Sequence, residues 1–227
     1  MSDSKRYPID RPQSHERPEF AQIEREAASR FSDLDLPKGL RDSALSQGDL
    51  AAAAADGNMW VARDQSEKQV GGFAVVQPLD RGMHLRELDV LSQSGQRGIG
   101  RRLFRAVIEW SRDAGFSCLT LTTFKDVLWN APFYLSEGFR AVTQNEMGPD
   151  WQALWDQEVE VGFNPARRVA LIKPLTDPQS VDSCLLDLTK ASHPKSELLD
   201  FGRRVGGPPA YSSKRQSIRP LEKTEAG

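Results

Sequence analysis

Hydrophobic positions fall into helical and strand-like registers up to about residue 176 and then thin out. Phe20, Ile23, Ala27 and Phe31 recur at the spacing of one helix face and predict a helix over residues 19–31. Leu40, Ala44, Leu50 and an alanine run predict a second over residues 39–55, broken by Asp56-Gly57-Asn58. Residues 59–63 and 70–77 read as antiparallel strands joined by a charged loop, and residues 85–91 as a third strand. The clearest helical period comes next. Leu103, Ala106, Val107, Trp110 and Ala114 share a face, Arg102, Arg105, Glu109 and Arg112 lie opposite, and Gly115 supplies the stop. A β-branched strand over residues 116–123 follows, then a short helix over 130–137 stopped by Gly138, and a strand over 139–142. A helix over 150–161 carrying Trp151, Leu154 and Trp155 and a last strand over 169–172 complete the pattern. The run from 85 to 123 is strand, helix, strand, which implies a right-handed crossover between neighbouring parallel strands.

The turn between residues 91 and 101 changes the picture from fold to chemistry. Val90-Leu91-Ser92-Gln93-Ser94-Gly95-Gln96-Arg97-Gly98-Ile99-Gly100-Arg101 leads from a strand directly into the amphipathic helix. Glycines at 98 and 100 let the backbone approach a ligand, and the first amides of a helix have no partner within it. Such a turn suits a phosphate held next to the positive end of a helix dipole, although a tight turn that only caps a helix has the same spacing. A lysine followed by Ser or Thr, as a Walker loop requires, is absent after Gly100; the order Gly95-x-x-Gly98-x-Gly100 is not the Rossmann fingerprint.

Downstream, Pro132-Phe133-Tyr134-Leu135-Ser136-Glu137-Gly138-Phe139 places a tyrosine four residues before a Gly that leads into a strand. With Gly98-Ile99-Gly100, and with the run from Leu119 to Tyr134, the chain resembles the GCN5-related N-acetyltransferase (GNAT) superfamily over about residues 6–174. The resemblance implies an α/β (α+β) fold: a central mixed, mostly antiparallel sheet splayed between two parallel strands and flanked by helices. It also implies acetyl transfer from acetyl-CoA to an amine. The loop would hold the cofactor's diphosphate through Gly95, Gln96, Arg97, Gly98, Ile99, Gly100 and Arg101, while Arg102 and Arg105 suit a solvated helix face equally well. This chain has Gly95 where the family often has Gln or Arg, and Leu128 where many relatives have proline. The strand segment Leu88, Asp89, Val90 would offer a backbone N–H to the thioester oxygen, an interaction worth about 3–4 kcal/mol in such reactions. Tyr134 would protonate the departing thiolate, and Asn130 would contact the cofactor or cap the short helix.

An alkylammonium near pKa 10.4 is only about one part in 10³ neutral at pH 7, so a base is expected. Glu87 and Asp89 alternate with Leu88 and Val90 and therefore share one strand face; Glu87 is the first candidate base, directly or through water, and Asp89 the second. Both also fit an ordinary polar face. Trp60, Trp129, Phe133, Trp151 and Trp155 divide between core and pocket wall, with Trp129 closest to the cofactor side. The acceptor pocket is expected from residues 31–47 and the region after 142.

Composition narrows the partners. The 227 residues carry a net charge of −2, which favours neither nucleic acid nor a membrane surface. The basic residues Lys190, Lys195, Arg203, Arg204, Lys214, Arg215 and Arg219 have no interleaved aromatics beyond Phe201 and Tyr211, so no nucleic-acid partner is expected. No apolar run reaches bilayer length and no secretory leader is visible. Cys118 and Cys184 read as reduced thiols, which points to the cytoplasm, and the scattered His15, His84 and His193 give no metal site. The expected domain covers residues 17–176, preceded by a polar arm over 1–16 with room for a short first strand. A flexible extension over 177–227 would follow, dispensable for catalysis, with one helix near 181–188. A small-molecule amine is the expected acceptor, with a homodimer left open. A protein or peptide acceptor, or a non-catalytic acyl-CoA-binding module, are the alternatives.

Overall fold

The computed structural model describes residues 6–31, 45–80, 82–175 and 181–188. Seven strands form one sheet in the order β1-β2-β3-β4-β5-β7-β6: β1 (Ile9–Asp10), β2 (Met59–Asp64), β3 (Gln69–Leu79), β4 (Gly82–Val90), β5 (Cys118–Phe124), β6 (Arg140–Val142) and β7 (Arg168–Pro174). Among the described residues only β4 and β5 run parallel; every other neighbouring pair is antiparallel. The mixed, mostly antiparallel sheet expected from the resemblance is therefore the observed one.

Strand alternation divides the core into two layers. Trp60, Ala62, Ala74, Val76, Met83 and Leu85 meet the amphipathic helix α3 (Ile99–Asp113) through Leu103, Phe104 and Val107. Met59, Val61, Phe73 and Val75 on the opposite face meet α1 (Arg17–Ser29) through Phe20 and Ile23, and α2 (Gln47–Ala55) through Leu50. The helix α3 ends as its sequence suggests: Gly115 takes φ +82°, a left-handed conformation that a glycine adopts without Cβ strain. Trp110 packs edge-on against Trp60 with ring centroids 5.3 Å apart.

Several boundaries differ from the pattern. The helix expected over 39–55 begins at Gln47, because the Ser46 hydroxyl accepts the Asp49 amide at 3.1 Å while the Asp49 carboxylate turns back to the Ser46 amide. This capping box is worth about 1 kcal/mol and fixes the start. Residues 39–44 lie outside the described residues. Strand β4 begins at Gly82, three residues before the expected start, since Met83 and His84 carry the only β4–β5 pairing among the described residues although neither has a strand-forming branched side chain. Strand β5 begins at Cys118 because Phe116 still donates its amide to Ser111 as the helix closes.

The largest difference concerns the C-terminal side. The short helices α4 (Ala131–Ser136) and α5 (Pro149–Glu160) precede β7, and α6 (Val181–Leu188) follows it. Cys184 and Leu188 of α6 are buried with Cys118, Trp151, Trp155 and Ile172 in a third apolar cluster. The folded unit thus runs past the boundary expected at 176, and α6 closes the lower end of the sheet rather than trailing from it. Residues 176–180 and 189–227 lie outside the described residues.

Candidate active site

A single extra residue sets the site. Pairing between β3 and β4 steps from Val76–Leu85 to Val75–Glu87, leaving Arg86 without an opposite residue. Such a bulge bends the strand and inverts the side-chain parity beyond it. Before the bulge Met83 and Leu85 face α3; after it Leu88 and Val90 do so, and Glu87 and Asp89 join the face covered by α1. Beyond His84–Thr120 no β4–β5 pairing continues, so the two parallel strands splay apart above that point. The backbone of Leu88, Asp89 and Val90 consequently lies at an opened edge.

The turn after β4 has its amides arranged as the glycine spacing suggests. Ser94 and Gly95 donate to Leu91 and Ser92. Gln96 (φ +59°) and Gly98 (φ +70°) then both take left-handed conformations. The amides of Gln96, Arg97, Gly98, Ile99, Gly100 and Arg101 have no acceptor among the described residues. A Cβ added at Gly98 would meet nothing of the protein within 4 Å, so what favours glycine there is the left-handed backbone conformation. Other residues of the turn have partners within the protein. Gly95 donates its amide to Ser92 at 3.0 Å. One guanidinium N–H of Arg97 donates to the Tyr7 hydroxyl at 3.3 Å. Arg101 stays at the cavity mouth with its Nε bonded to Glu137 at 2.6 Å, whereas Arg102 and Arg105 border a separate pocket with Asp10, Arg11 and Trp60.

Two cavities meet at the splay. One, of about 420 Å³, is walled by the turn, Val90, Arg30, Trp129 and Phe133. The other, of about 470 Å³, is walled by α1, β4, β5 and α5. Phe31, Leu88, Asp89, Asn130 and Tyr134 line both. Tyr134 is held by aromatic contacts to Phe133, Phe139 and Phe104 at 5.0, 5.7 and 6.0 Å between centroids. Burial, with Asp89 and Glu87 nearby, pushes its phenol pKa up and keeps the proton on. Asn130 precedes α4 without a side-chain cap; its carbonyl accepts the Phe133 and Tyr134 amides at 2.9 and 3.3 Å, and the residue lines both cavities.

The carboxylates are tuned in the same direction. Burial, reinforced by Glu24, raises Glu87 to about 7. Asp89 is raised well above its usual value by burial and by the charges of Glu87 and Glu24. A carboxyl group that titrates near neutrality is suited to accept a proton from an amine.

Part of the second cavity comes from the region after residue 142 expected to supply the acceptor pocket, and part from α1, which the sequence pattern does not foresee. Glu24 and Arg25 come from α1, Leu154, Gln157 and Glu158 from α5, and Phe163 from the following loop. Glu158 accepts from Thr122 at 2.7 Å and from Arg168 at 2.9 Å, and the Arg168 guanidinium packs against both the Phe163 and Phe124 rings, 4.6 and 4.9 Å from their centroids. His84 forms part of the floor: it bonds Thr120 at 2.9 Å, and burial lowers it to about 3, so it stays neutral. Of the tryptophans, Trp60, Trp151 and Trp155 are buried, and Trp129 alone lines either of the two joined cavities.

One parallel pair in an otherwise antiparallel sheet, opened by a bulge just before an amide-lined turn, is the architecture of the GNAT acetyltransferases. Residues 55–141 match the model of the acetyltransferase (GNAT) domain family. An N-acetyltransferase 8F1 of Rattus norvegicus is 27% identical over 115 residues, which cover 48% of this chain and 51% of the relative; the chain thus spans about half the length of that curated relative. Among solved structures, the N-acetylglutamate synthase of Neisseria gonorrhoeae complexed with coenzyme A and N-acetyl-glutamate is 16% identical with a TM-score of 0.59, covering 75% of this chain and 35% of that one. The PaiA N-acetyltransferase of Thermoplasma acidophilum in complex with coenzyme A is 12% identical with a TM-score of 0.57, covering 74% and 98%.

Proposed function

We propose that the protein is an acetyl-CoA-dependent N-acetyltransferase acting on a primary amine of a small molecule. The observation that carries this reading is the junction of the two cavities: an amide-lined pocket and an acidic pocket share Tyr134, Asp89 and Leu88. The free amides of Gln96–Arg101 fit a diphosphate, and the glycine at 98 leaves the approach open. Bound acetyl-CoA supplies an activated acetyl thioester.

The chain's own residues do the rest. Helix α3 adds its positive end to the anion site, about 0.3–1 kcal/mol in an exposed setting. A backbone N–H within Leu88–Val90 polarises the acetyl carbonyl at the opened strand edge. Glu87, or Asp89 beside it, removes the proton from the attacking amine; a base poised near 7 lowers the cost of about 4–5 kcal/mol for deprotonating an alkylammonium at neutral pH. Tyr134, kept protonated by its surroundings, returns a proton to the leaving sulfur. Asn130 orients the cofactor arm between the two cavities. Cys118 and Cys184 are buried free thiols hydrogen-bonded to one another, which fits a reducing compartment such as the cytoplasm. Among the described residues no helix is long and apolar enough to cross a membrane.

A panel of amines incubated with acetyl-CoA tests the reading, with thiol release followed by absorbance and products by mass spectrometry. Acetylated small amines are the expected outcome. Tight acetyl-CoA binding without turnover on any amine would identify a non-catalytic acyl-CoA sensor instead, and acetylation confined to peptides would identify a protein acetyltransferase.

A further inference from the structure

The turn that carries the free amides has few bonds of its own to keep it in place. The amides of residues 96–101 find no acceptor among the described residues, so the hydrogen bonds that steady an ordinary turn are missing there. Gln96 and Gly98 are both left-handed, at φ +59° and +70°, and Arg97 lies between them. A left-handed residue other than glycine persists only where its surroundings impose it. From Ser94 to Arg101 every residue lines the cavity of about 420 Å³ except Arg97. The Arg97 guanidinium reaches Tyr7 instead and donates to its hydroxyl at 3.3 Å.

Tyr7 is a fixed post. It is 1% exposed and belongs to the apolar layer under α3. A Cβ added at Gly71 of β3 would lie 3.3 Å from both the Tyr7 ring and the Ser94 Oγ, so glycine there makes room for the tyrosine beside the start of the turn. The segment around Tyr7 is tied to β2. The Arg6 carbonyl accepts the Gln65 amide at 2.9 Å, and the Arg6 guanidinium binds the buried Asp64 carboxylate at 2.9 Å. Burial alone would raise the Asp64 carboxyl; hydrogen bonds from Arg6 and Tyr7 outweigh it and hold the group well below the usual carboxylate range. We infer that Tyr7 is a positioning residue for the cofactor: by holding the Arg97 guanidinium it fixes the left-handed residues on either side and keeps the turn in the shape that presents its free amides to a diphosphate. This rests on the acetyl-CoA reading and extends that site to a residue of the polar arm, outside the domain expected from residue 17 onward.

Coenzyme A binding should be measured by calorimetry on the wild type, Tyr7→Phe, Arg97→Met and the double variant. Phenylalanine keeps the buried ring and loses only the hydroxyl. Tyr7→Phe should raise the Kd for coenzyme A roughly threefold to tenfold, the range of one hydrogen bond's net worth. In the Arg97→Met background there is no guanidinium to hold, so the same change should cost nothing more. In Tyr7→Phe the preference for acetyl-CoA over S-acetylpantetheine, which carries the thioester without the diphosphate, should shrink by the same factor in kcat/KM. A protein merely loosened by the substitution would lose equally on both donors and in both backgrounds, and that result overturns the inference. Coenzyme A binding that is unchanged or tighter in Tyr7→Phe, with Arg97→Met weaker, overturns it too, because Arg97 would then be a phosphate ligand that Tyr7 draws away. In each of these cases the wild type still binds coenzyme A and the acetyl-CoA reading stands; a wild type that binds none removes both.

Discussion

The two halves of the site are built by different means. The half proposed for the cofactor is made of backbone: six consecutive amides in one turn, the start of α3, and the open edge of β4. The half proposed for the acceptor is made of side chains from α1, β4, β5 and α5 together with the loop carrying Phe163. Backbone geometry is specified locally, by glycine at 98 and a left-handed turn, so a short run of sequence determines it. A side-chain pocket depends on which distant elements pack together. The amide half is therefore suited to one unvarying ligand and the side-chain half to an acceptor particular to this protein.

Substitutions at the junction, then in each half, test that division. Tyr134→Phe should have the largest effect, lowering kcat roughly 10²–10³-fold because the only loss is a proton donor. Its affinity for acetyl-CoA, measured by calorimetry, should stay within about twofold; a large loss of affinity would make Tyr134 part of the cofactor half. Gly98→Val should raise the Kd for coenzyme A by roughly 10–100-fold, since a β-branched residue disfavours φ +70° by about 1–2 kcal/mol and also obstructs the ligand. Amine affinity should not change, and a variant that binds coenzyme A normally would mean the turn only caps the helix.

Leu188→Ala should cost about 2–4 kcal/mol in denaturant unfolding, because the buried leucine anchors α6 against Trp151 and Cys118 beneath the acceptor half. Ending the chain at 176 removes α6 altogether and should destabilise the fold, contrary to the dispensable role its composition suggests. Glu87→Gln should have the smallest effect at neutral pH, roughly tenfold in kcat, and should remove the rise in rate through about pH 7 that the wild-type carboxylate produces. The stability sign is opposite. The folded pKa is above the unfolded value, so the native state holds the proton longer and wild-type stability falls as pH rises between the two values. Melting temperatures should then favour Glu87→Gln at about pH 8 and converge with the wild type at about pH 4. A rate profile unaltered in Glu87→Gln would pass the base role to Asp89.

Much of the cofactor half is legible in the amino-acid order alone. Gly98, Gly100, the α3 period and Tyr134 lie within one stretch, and the Glu87/Asp89 alternation correctly puts both carboxylates on one face. What does not show is which face: the bulge at Arg86 has no glycine or proline to announce it, and only β3–β4 pairing reveals it. Glu24 is equally hidden, since a glutamate between Ile23 and Ala27 on an amphipathic helix looks like a solvated position until β4 is placed beneath it. Arg97 makes a contact that the local order does not show: the Tyr7 hydroxyl, ninety residues upstream in the chain, accepts from its guanidinium.

A strand has two sides, and Arg86 acts on that fact as a binary setting. Removing one residue between His84 and Glu87 would not shift the carboxylates by a few ångströms; it would exchange them with Leu88 and Val90, driving acid into the oily layer under α3 and grease into the cleft. A chain that kept the turn and the tyrosine but differed by one residue here would keep the free amides and lose both carboxylates from the cleft.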